Sequence, residues 1–229
     1  MTEPTTFTRN QVRQVDRNAV ERYAIPSIVL MENASRQVAD QAIDMLGGSA
    51  TAARRKVLVI CGGGNNGGDG LATARHLALR SLDVHILLLK HPGAYKGDAR
   101  TNLDICQAMG LPITTAADDP LAVLDPLGPH ELIIDAILGT GLDRQVRGSA
   151  AEVIGWINAQ PAPVLAVDIP SGLHCDAGQP LGIAVEADRT VTFVAVKRGF
   201  AQGGAERWTG AVVVADIGAP AEIDGADPT

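Results

Sequence analysis

The chain has 229 residues, 46% hydrophobic and 20% charged, with 25 glycines, 3% aromatic residues and a formal charge of −7. That length and apolar content suit one α/β domain with its own core, and they exclude a disordered, collagen-like or coiled-coil chain. The acidic balance opposes a phosphate backbone as partner, and two tryptophans, two tyrosines and three phenylalanines leave little for base stacking, so no nucleic acid is expected.

Three widely spaced cysteines (Cys61, Cys106 and Cys175) form no C-x-x-C and read as reduced thiols. The N-terminus carries no basic-then-apolar signal, and runs such as Val57–Cys61 and His85–Leu89 are too short to span a bilayer. The expectation is a soluble, cytoplasmic protein with no membrane contact.

In chain order, about 45 residues read first as two helices. Thr8–Tyr23 has Thr8 as N-cap, and after Pro26 Ser27–Leu46 keeps Ile28, Met31, Ala34 and Val38 apolar. Lys56–Cys61 (KVLVIC) is the first strand, followed by a helix over Asp69–Arg80 and a strand at Val84–Leu89. Asp98–Met109 is helical and stops at Gly110 and Pro112, while Asp119-Pro120 caps a short helix through Leu124. Leu132–Ile134 is a strand, and Ser149 with Glu152 forms a capping box ahead of Val153, Trp156 and Ile157. Strands at Val164–Val167, Thr190–Val194 and Ala211–Ala215 complete the pattern. Continuous apolar strands alternating with helices imply a Rossmann-like three-layer αβα sandwich with a mostly parallel sheet, plus the two N-terminal helices. Residues 1–229 are expected to form one domain, with a loose acidic tail at 221–229.

Ligands of such sheets bind beyond the carboxyl ends of the strands, so the chemistry is sought there. After the first strand comes Gly62-Gly63-Gly64-Asn65-Asn66-Gly67-Gly68-Asp69-Gly70, six glycines in nine positions. Gly62-x-Gly64-x-x-Gly67 matches a dinucleotide fingerprint, since glycines admit a phosphate to the backbone and a helix N-terminus favours its charge. The bland alternative is a glycine turn packing helix on strand. An acidic ribose-binding residue at the second strand is missing, where Lys90 stands instead.

After the third and fourth strands come Asp135-Ala-Ile-Leu-Gly139-Thr140-Gly141-Leu142-Asp143-Arg144-Gln145 and Asp168-Ile-Pro170-Ser171-Gly172. Asp69, Asp135 and Asp168 then occupy comparable strand ends, where converging carboxylates need a cation or a shared proton. Hard oxygens at Asn66, Asp135 and Ser171 would suit an alkali or alkaline-earth ion; the alternative is that Asp168 only caps a turn. The five histidines show no HExxH, Ser171 lacks the G-x-S-x-G context, and no lysine follows the glycines as in a P-loop. Lys90 and Lys197 read as solvated strand-end side chains, with Lys90 kept as a candidate beside the crevice.

Taken together, L-M-E-N-A (Leu30–Ala34), C-G-G-G-N-N-G-G-D-G (Cys61–Gly70), D-A-I-L-G-T-G-L (Asp135–Leu142), V-D-I-P-S-G (Val167–Gly172) and D-I-G (Asp216–Gly218) resemble the YjeF N-terminal domain family, the NAD(P)H-hydrate epimerases. The chain departs at Ser35, where the family usually has glycine. The resemblance implies an isomerase interconverting the R and S forms of hydrated NADH or NADPH, a nicotinamide-nucleotide repair step feeding an S-specific dehydratase. It implies substrate binding by Asn65, Asn66, Gly67, Gly68, Asp69, Gly139, Thr140, Gly141, Leu142, Asp143, Arg144, Gln145 and Asp168. It also implies one potassium ion per subunit on Asn66, Asp135 and Ser171. Many relatives carry a fused dehydratase domain, so a stand-alone epimerase and the N-terminal part of a longer protein are both open. The hydrated carbon is a carbinolamine, so loss and return of the hydroxyl through an iminium needs an acid and a base. Asp135 is the first candidate and Lys90 its helper; ring opening and reclosure is the other route. A homodimer is expected from the apolar excess of the N-terminal helices. The rival readings are a non-catalytic nucleotide-binding or protein-interaction module and an NAD-dependent oxidoreductase.

Overall fold

The apolar runs pair side by side in one seven-stranded sheet of the computed structural model, which describes residues 6–116 and 119–221. In chain order, β1 (Thr6–Phe7), α1 (Arg9–Glu21), α2 (Ser27–Met45) and a short α3 (Ser49–Ala52) come first. They are followed by β2 (Lys56–Cys61), α4 (Asn65–Leu79), β3 (Asp83–Leu88), α5 (Gly97–Ala108) and β4 (Ile113–Thr115). Next are α6 (Pro120–Leu124), β5 (Leu132–Ala136), α7 (Ser149–Asn158) and β6 (Val164–Val167). The described chain ends with β7 (Arg189–Phe193), β8 (Val196–Lys197), α8 (Glu206–Thr209) and β9 (Ala211–Ala215).

The large sheet runs β4-β3-β2-β5-β6-β7-β9, and every neighbouring pair is parallel. From β2 the chain moves outward through β3 and β4, then returns to lay β5 on the other side of β2. That reversal opens a crevice beyond Cys61 and Ala136, which are register partners. Alternation along the strands divides the core between two helical layers. Val57, Val59 and Cys61 pack with Leu71, Leu77 and Leu103 of α4 and α5. Leu58 and Ile60 pack with Val153, Ile154 and Ile157 of α7. Each such side chain contributes roughly 1.5–3 kcal/mol on full burial. The three-layer architecture expected from the alternation is therefore present, with α1 and α2 added ahead of it.

Helix ends follow local chemistry where a side chain can reach the backbone. Thr8 caps α1 by accepting the Gln11 amide, and Gln11 returns the bond to the Thr8 amide. Asp119 caps α6 through the Ala122 amide. The expected capping box at Ser149 is not formed. Gly148 is the N-cap with φ +61, and no side chain caps α7, because its left-handed backbone already turns the chain into the helix. Three short strands, β1, β4 and β8, escaped the sequence reading because two or three residues carry no period. β1 and β8 form a separate two-stranded parallel sheet. Of the expected tail, residues 222–229 lie outside the described residues. No helix among the described residues is long and apolar enough to cross a membrane.

Candidate active site

The first revision concerns the glycine segment. Helix α4 begins at Asn65, four residues earlier than expected, so Asn65, Asn66, Gly67, Gly68 and Asp69 are helical. Glycine inside a helix costs about 0.5–1 kcal/mol relative to alanine, so its presence needs a packing reason. A Cβ on Gly67 would sit 1.8 Å from the Gly62 carbonyl oxygen, and one on Gly70 would meet Ala136 Cβ at 2.5 Å. Gly67 and Gly70 thus let α4 close onto the ends of β2 and β5, Gly68 admits Met31 of α2 and Ala99 of α5, and Gly63 and Gly64 form the turn at its N-terminus. The plain packing alternative thus describes Gly67, Gly68 and Gly70.

At the crevice lies a cleft of about 760 Å³. The turn and first turns of α4 line it through Gly63, Gly64, Asn65, Asn66 and Asp69, with Lys90 beyond β3. The loop after β5 lines it through Ile137–Arg144, and Asp168 enters from the end of β6. Of the residues expected at the site, Gly67 and Gly68 lie behind the wall, packed inside α4, while Gln145 is exposed beyond it. Asp135 and Ser171 are also absent from the wall. Sequence reasoning missed Arg13, Asp16 and Val20 of α1, Leu30, Met31 and Ala34 of α2, Asp98 of α5, and the late residues Phe193 and Ile217. The L-M-E-N-A and D-I-G segments did carry a signal for Leu30, Met31, Ala34 and Ile217; the residues of α1 had none.

The three aspartates are not equivalent strand ends. Asp135 lies inside β5, fully buried, and both its oxygens are taken. Oδ1 accepts the Ser171 hydroxyl at 2.6 Å and the Ile137 amide at 3.2 Å, and Oδ2 accepts the Ser171 amide at 2.7 Å. Burial pushes its carboxyl up to about 6, against those hydrogen bonds. Asp69 is in the second turn of α4, and no hydrogen bond to its carboxyl is found among the described residues. Burial pushes it well above the usual carboxylate range, and the nearby charges of Asp168, Asp16 and Asp98 push it further. The protonated form of Asp69, which lines the cleft, is thereby favoured.

Asp168 follows β6 with φ +66, a left-handed backbone that costs a non-glycine residue about 1–3 kcal/mol and that persists where the surroundings enforce it. Its partner is unexpected. Lys197, read from sequence as a solvated side chain, is 0% exposed and holds Asp168 Oδ1 at 2.8 Å. The reason is tertiary, since β1 pairs with β8, placing Phe7 opposite Lys197, and the Asp168 charge compensates the buried ammonium. Lys90, by contrast, is exposed on the cleft wall, its stem against Gly63.

Asn66, Asp135 and Ser171 offer side-chain oxygens of the kind a hard cation takes, whereas the Asn66 side-chain nitrogen, buried without a hydrogen-bond partner, is a donor and would not be a ligand. Gly139, next to Leu138, leaves 3.3 Å between its own missing Cβ and Asn66, and the Leu138 amide donates to the Ser171 hydroxyl at 2.8 Å. One carboxylate, one hydroxyl, one amide and backbone carbonyls are hard, weakly charged donors that fit a large monovalent ion better than zinc. No cluster of three histidine, cysteine, aspartate or glutamate side chains suited to a metal occurs among the described residues. We expect Asp135→Asn to lose about 1–3 kcal/mol of stability in urea unfolding, because an amide nitrogen must then face one of three buried donors. Ser35, at the departure from the family motif, is fully buried with its hydroxyl 2.7 Å from the Met31 carbonyl and 3.0 Å from that of Asp69, so it anchors the α2–α4 contact.

Residues 27–199 match the family model described as YjeF-related protein N-terminus. A protein of Limosilactobacillus fermentum named NAD(P)H-hydrate epimerase is 41% identical over 210 residues, covering 92% of this chain and 95% of its own. A Salinibacter ruber protein named bifunctional NAD(P)H-hydrate repair enzyme Nnr is 40% identical over 227 residues, or 95% of this chain. The chain spans only 41% of that bifunctional relative. The crystal structure of yeast ynu0 (YNL200c) superposes with a TM-score of 0.76 at 21% identity, covering 92% of this chain and 87% of that one, which establishes the shared fold.

Proposed function

The chain belongs to the YjeF-related N-terminal family, and from that premise we propose that it is an epimerase acting on hydrated NADH and NADPH. One observation carries the reading: two carboxyls in different surroundings, the buried Asp69 and the lysine-paired Asp168, line the same cleft beside the N-terminus of a 15-residue helix. Burial raises the Asp69 carboxyl, which suits it to the acid's part, and the Lys197 ammonium on one oxygen of Asp168 leaves the other oxygen to act as a base. The α4 N-terminus, with Gly63 and Gly64 open to solvent, suits the diphosphate. Lys90 and Arg144 stand on the same wall and can meet further phosphate charge.

In this reading Asp69 donates its proton to the departing hydroxyl as the carbon–oxygen bond breaks, so water leaves and the ring nitrogen lends its electron pair to form a planar iminium. Water then adds to the opposite face and gives its proton to Asp168, restoring a carbinolamine of inverted configuration. The proton has moved from Asp69 to Asp168, which either runs the opposite epimer in the same way or resets by exchange with cleft water. Asp135 takes no part in proton transfer in this reading, because it is fully buried and does not line the cleft. We assign it instead, with Asn66 and Ser171, to a potassium ion. When bound, that ion supplies a fixed positive charge near the glycine turn. Potassium, but not an equal concentration of a bulky organic cation, should raise the melting temperature of the wild type and leave Asp135→Asn unchanged.

The decisive assay mixes R and S hydrates with a dehydratase that takes only the S form, the class of enzyme that must consume this product. Adding the protein should drive the R fraction to completion. An R fraction that decays at its spontaneous rate, with the dinucleotide still bound, would identify a non-catalytic nucleotide-binding module instead.

A further inference from the structure

We propose that Lys197 is the positioning residue of this site: its ammonium group clamps one oxygen of Asp168 and thereby presents the other to the nicotinamide end of the substrate. The inference rests on the epimerase reading for the identity of that substrate. Lys197 is among the largest fully buried side chains, where a methionine or leucine would pack without a charge to compensate. Its Nζ donates to Asp168 Oδ1 at 2.8 Å and to the Phe193 carbonyl at 2.9 Å. The Phe193 amide donates to the same Oδ1 at 3.3 Å. Two donors therefore hold Oδ1, while Oδ2 has no hydrogen bond among the described residues and Asp168 lines the cleft.

The surrounding chain is shaped to make this contact. Asp168 has φ +66 and Val194 has φ +70, and these two left-handed residues stand just after β6 and just after β7. For a β-branched residue such as Val194 that conformation is a true outlier, retained only where the fold enforces it. The enforcement comes from the N-terminal segment, which precedes the part matched by the family model. Phe7 of β1 pairs with Lys197, and Phe7, Val12, Val15 and Ala195 form an apolar cluster against which Val194 packs.

Charge explains why a cation is needed there. Asp168 faces Asp69 on α4 and Asp16 on α1, and Asp16 in turn feels Lys197 and Arg17. The Cys175 thiol also feels Lys197 and Asp168, and burial pushes it up to about 12. Without the lysine, three carboxyls would converge on one end of the cleft, and Asp168 would either take up a proton or turn away. With it, Asp168 keeps one oxygen anchored and one free. The lysine itself does not touch the substrate.

The test compares Lys197→Met, Lys197→Arg, Asp168→Asn and the double variant Lys197→Met/Asp168→Asn in the full chain. For Lys197→Met we expect kcat for epimer exchange to fall about 100-fold with KM within about threefold, the signature of a misplaced group rather than a lost binding contact. Lys197→Arg should recover roughly a tenth of wild-type kcat, since it keeps the charge but not the reach. The double variant should be no slower than Asp168→Asn alone, because residues acting as one unit do not add. It also carries no unpaired buried charge, so it keeps the comparison available if Lys197→Met fails to fold. A double variant slower than Asp168→Asn by the full Lys197 factor would overturn the proposal. So would a crystal structure of either folded Lys197 variant carrying Asp168 in which its carboxyl remains in place while kcat falls. A wild type that does not exchange epimers would remove the functional reading, and the displacement of Asp168 in those crystals would still decide the role of Lys197.

Discussion

Asp69→Asn should slow epimer exchange by about 100- to 10,000-fold, the range that a positioned general acid supplies, while substrate affinity stays close to that of the wild type. The asymmetry follows from the state of the native group. Burial first, and then the charges of Asp168, Asp16 and Asp98, push the Asp69 carboxyl well above the usual range and favour its protonated form. A neutral carboxylic acid and a carboxamide have nearly the same shape, so asparagine preserves the packing of α4 and removes the transferable proton. The pH dependence gives a second readout. The wild-type rate should fall as pH rises through the raised value, because the donating form is lost, and the variant should lack that limb. Stability should follow the same sign. The folded state keeps a proton that the unfolded chain releases near 3.8, so the stabilisation carried by that proton is complete below this pH and lost as pH climbs through the folded value. Asp69→Asn abolishes that decline in a denaturation series against pH. Exchange within a few-fold of wild type would end the assignment of Asp69 as the acid.

Gly67→Ala is expected to be among the most damaging single-methyl changes in the molecule. Helix propensity alone would favour alanine by about 1 kcal/mol. Against it, the new Cβ would lie 1.8 Å from the Gly62 carbonyl oxygen and 2.7 Å from its carbon, and neither is a flexible side-chain end that can move aside. Either α4 lifts from β2 or the Gly62 turn shifts, and overpacking of this kind costs about 3 kcal/mol or more. The steric term wins, and it acts on the turn that lines the cleft, so dinucleotide affinity should fall with stability. Gly64→Ala is the matched control, since a Cβ there meets nothing within 4 Å. Urea unfolding and calorimetric titration with the dinucleotide would measure both variants, and a Gly67→Ala protein as stable as Gly64→Ala would show that the α4–β2 contact is not tight.

The layered fold was legible because its causes are local and repeated. Strands buried on both faces must be apolar throughout, helices between them must show a 3.6-residue stripe, and Thr8 and Asp119 reach their own backbone amides. The location of the site was legible for the same reason, since a parallel sheet that reverses direction opens at the carboxyl ends of its central strands, where Gly62, Ile137 and Asp168 lie.

The roles of individual groups inside the site were not legible, because they depend on contacts between residues far apart in the chain. Asp135 and Asp168 look alike as residues that end strands, yet a serine 36 residues away occupies both oxygens of the first, and a lysine grips one oxygen of the second. Lys197 read as a solvated side chain because a lysine in sequence carries no sign of whether another strand covers it; β1, from the other end of the chain, does. Asp69 read as one of three comparable strand-end carboxylates, and its raised pKa arises only once it is buried and α1, α4, α5 and the end of β6 bring four carboxyls within reach of one another. Periodicity and turn chemistry are properties of neighbours along the chain, so they specify layers and openings; protonation and orientation are set by desolvation and charge in three dimensions, and these arise only when the layers close.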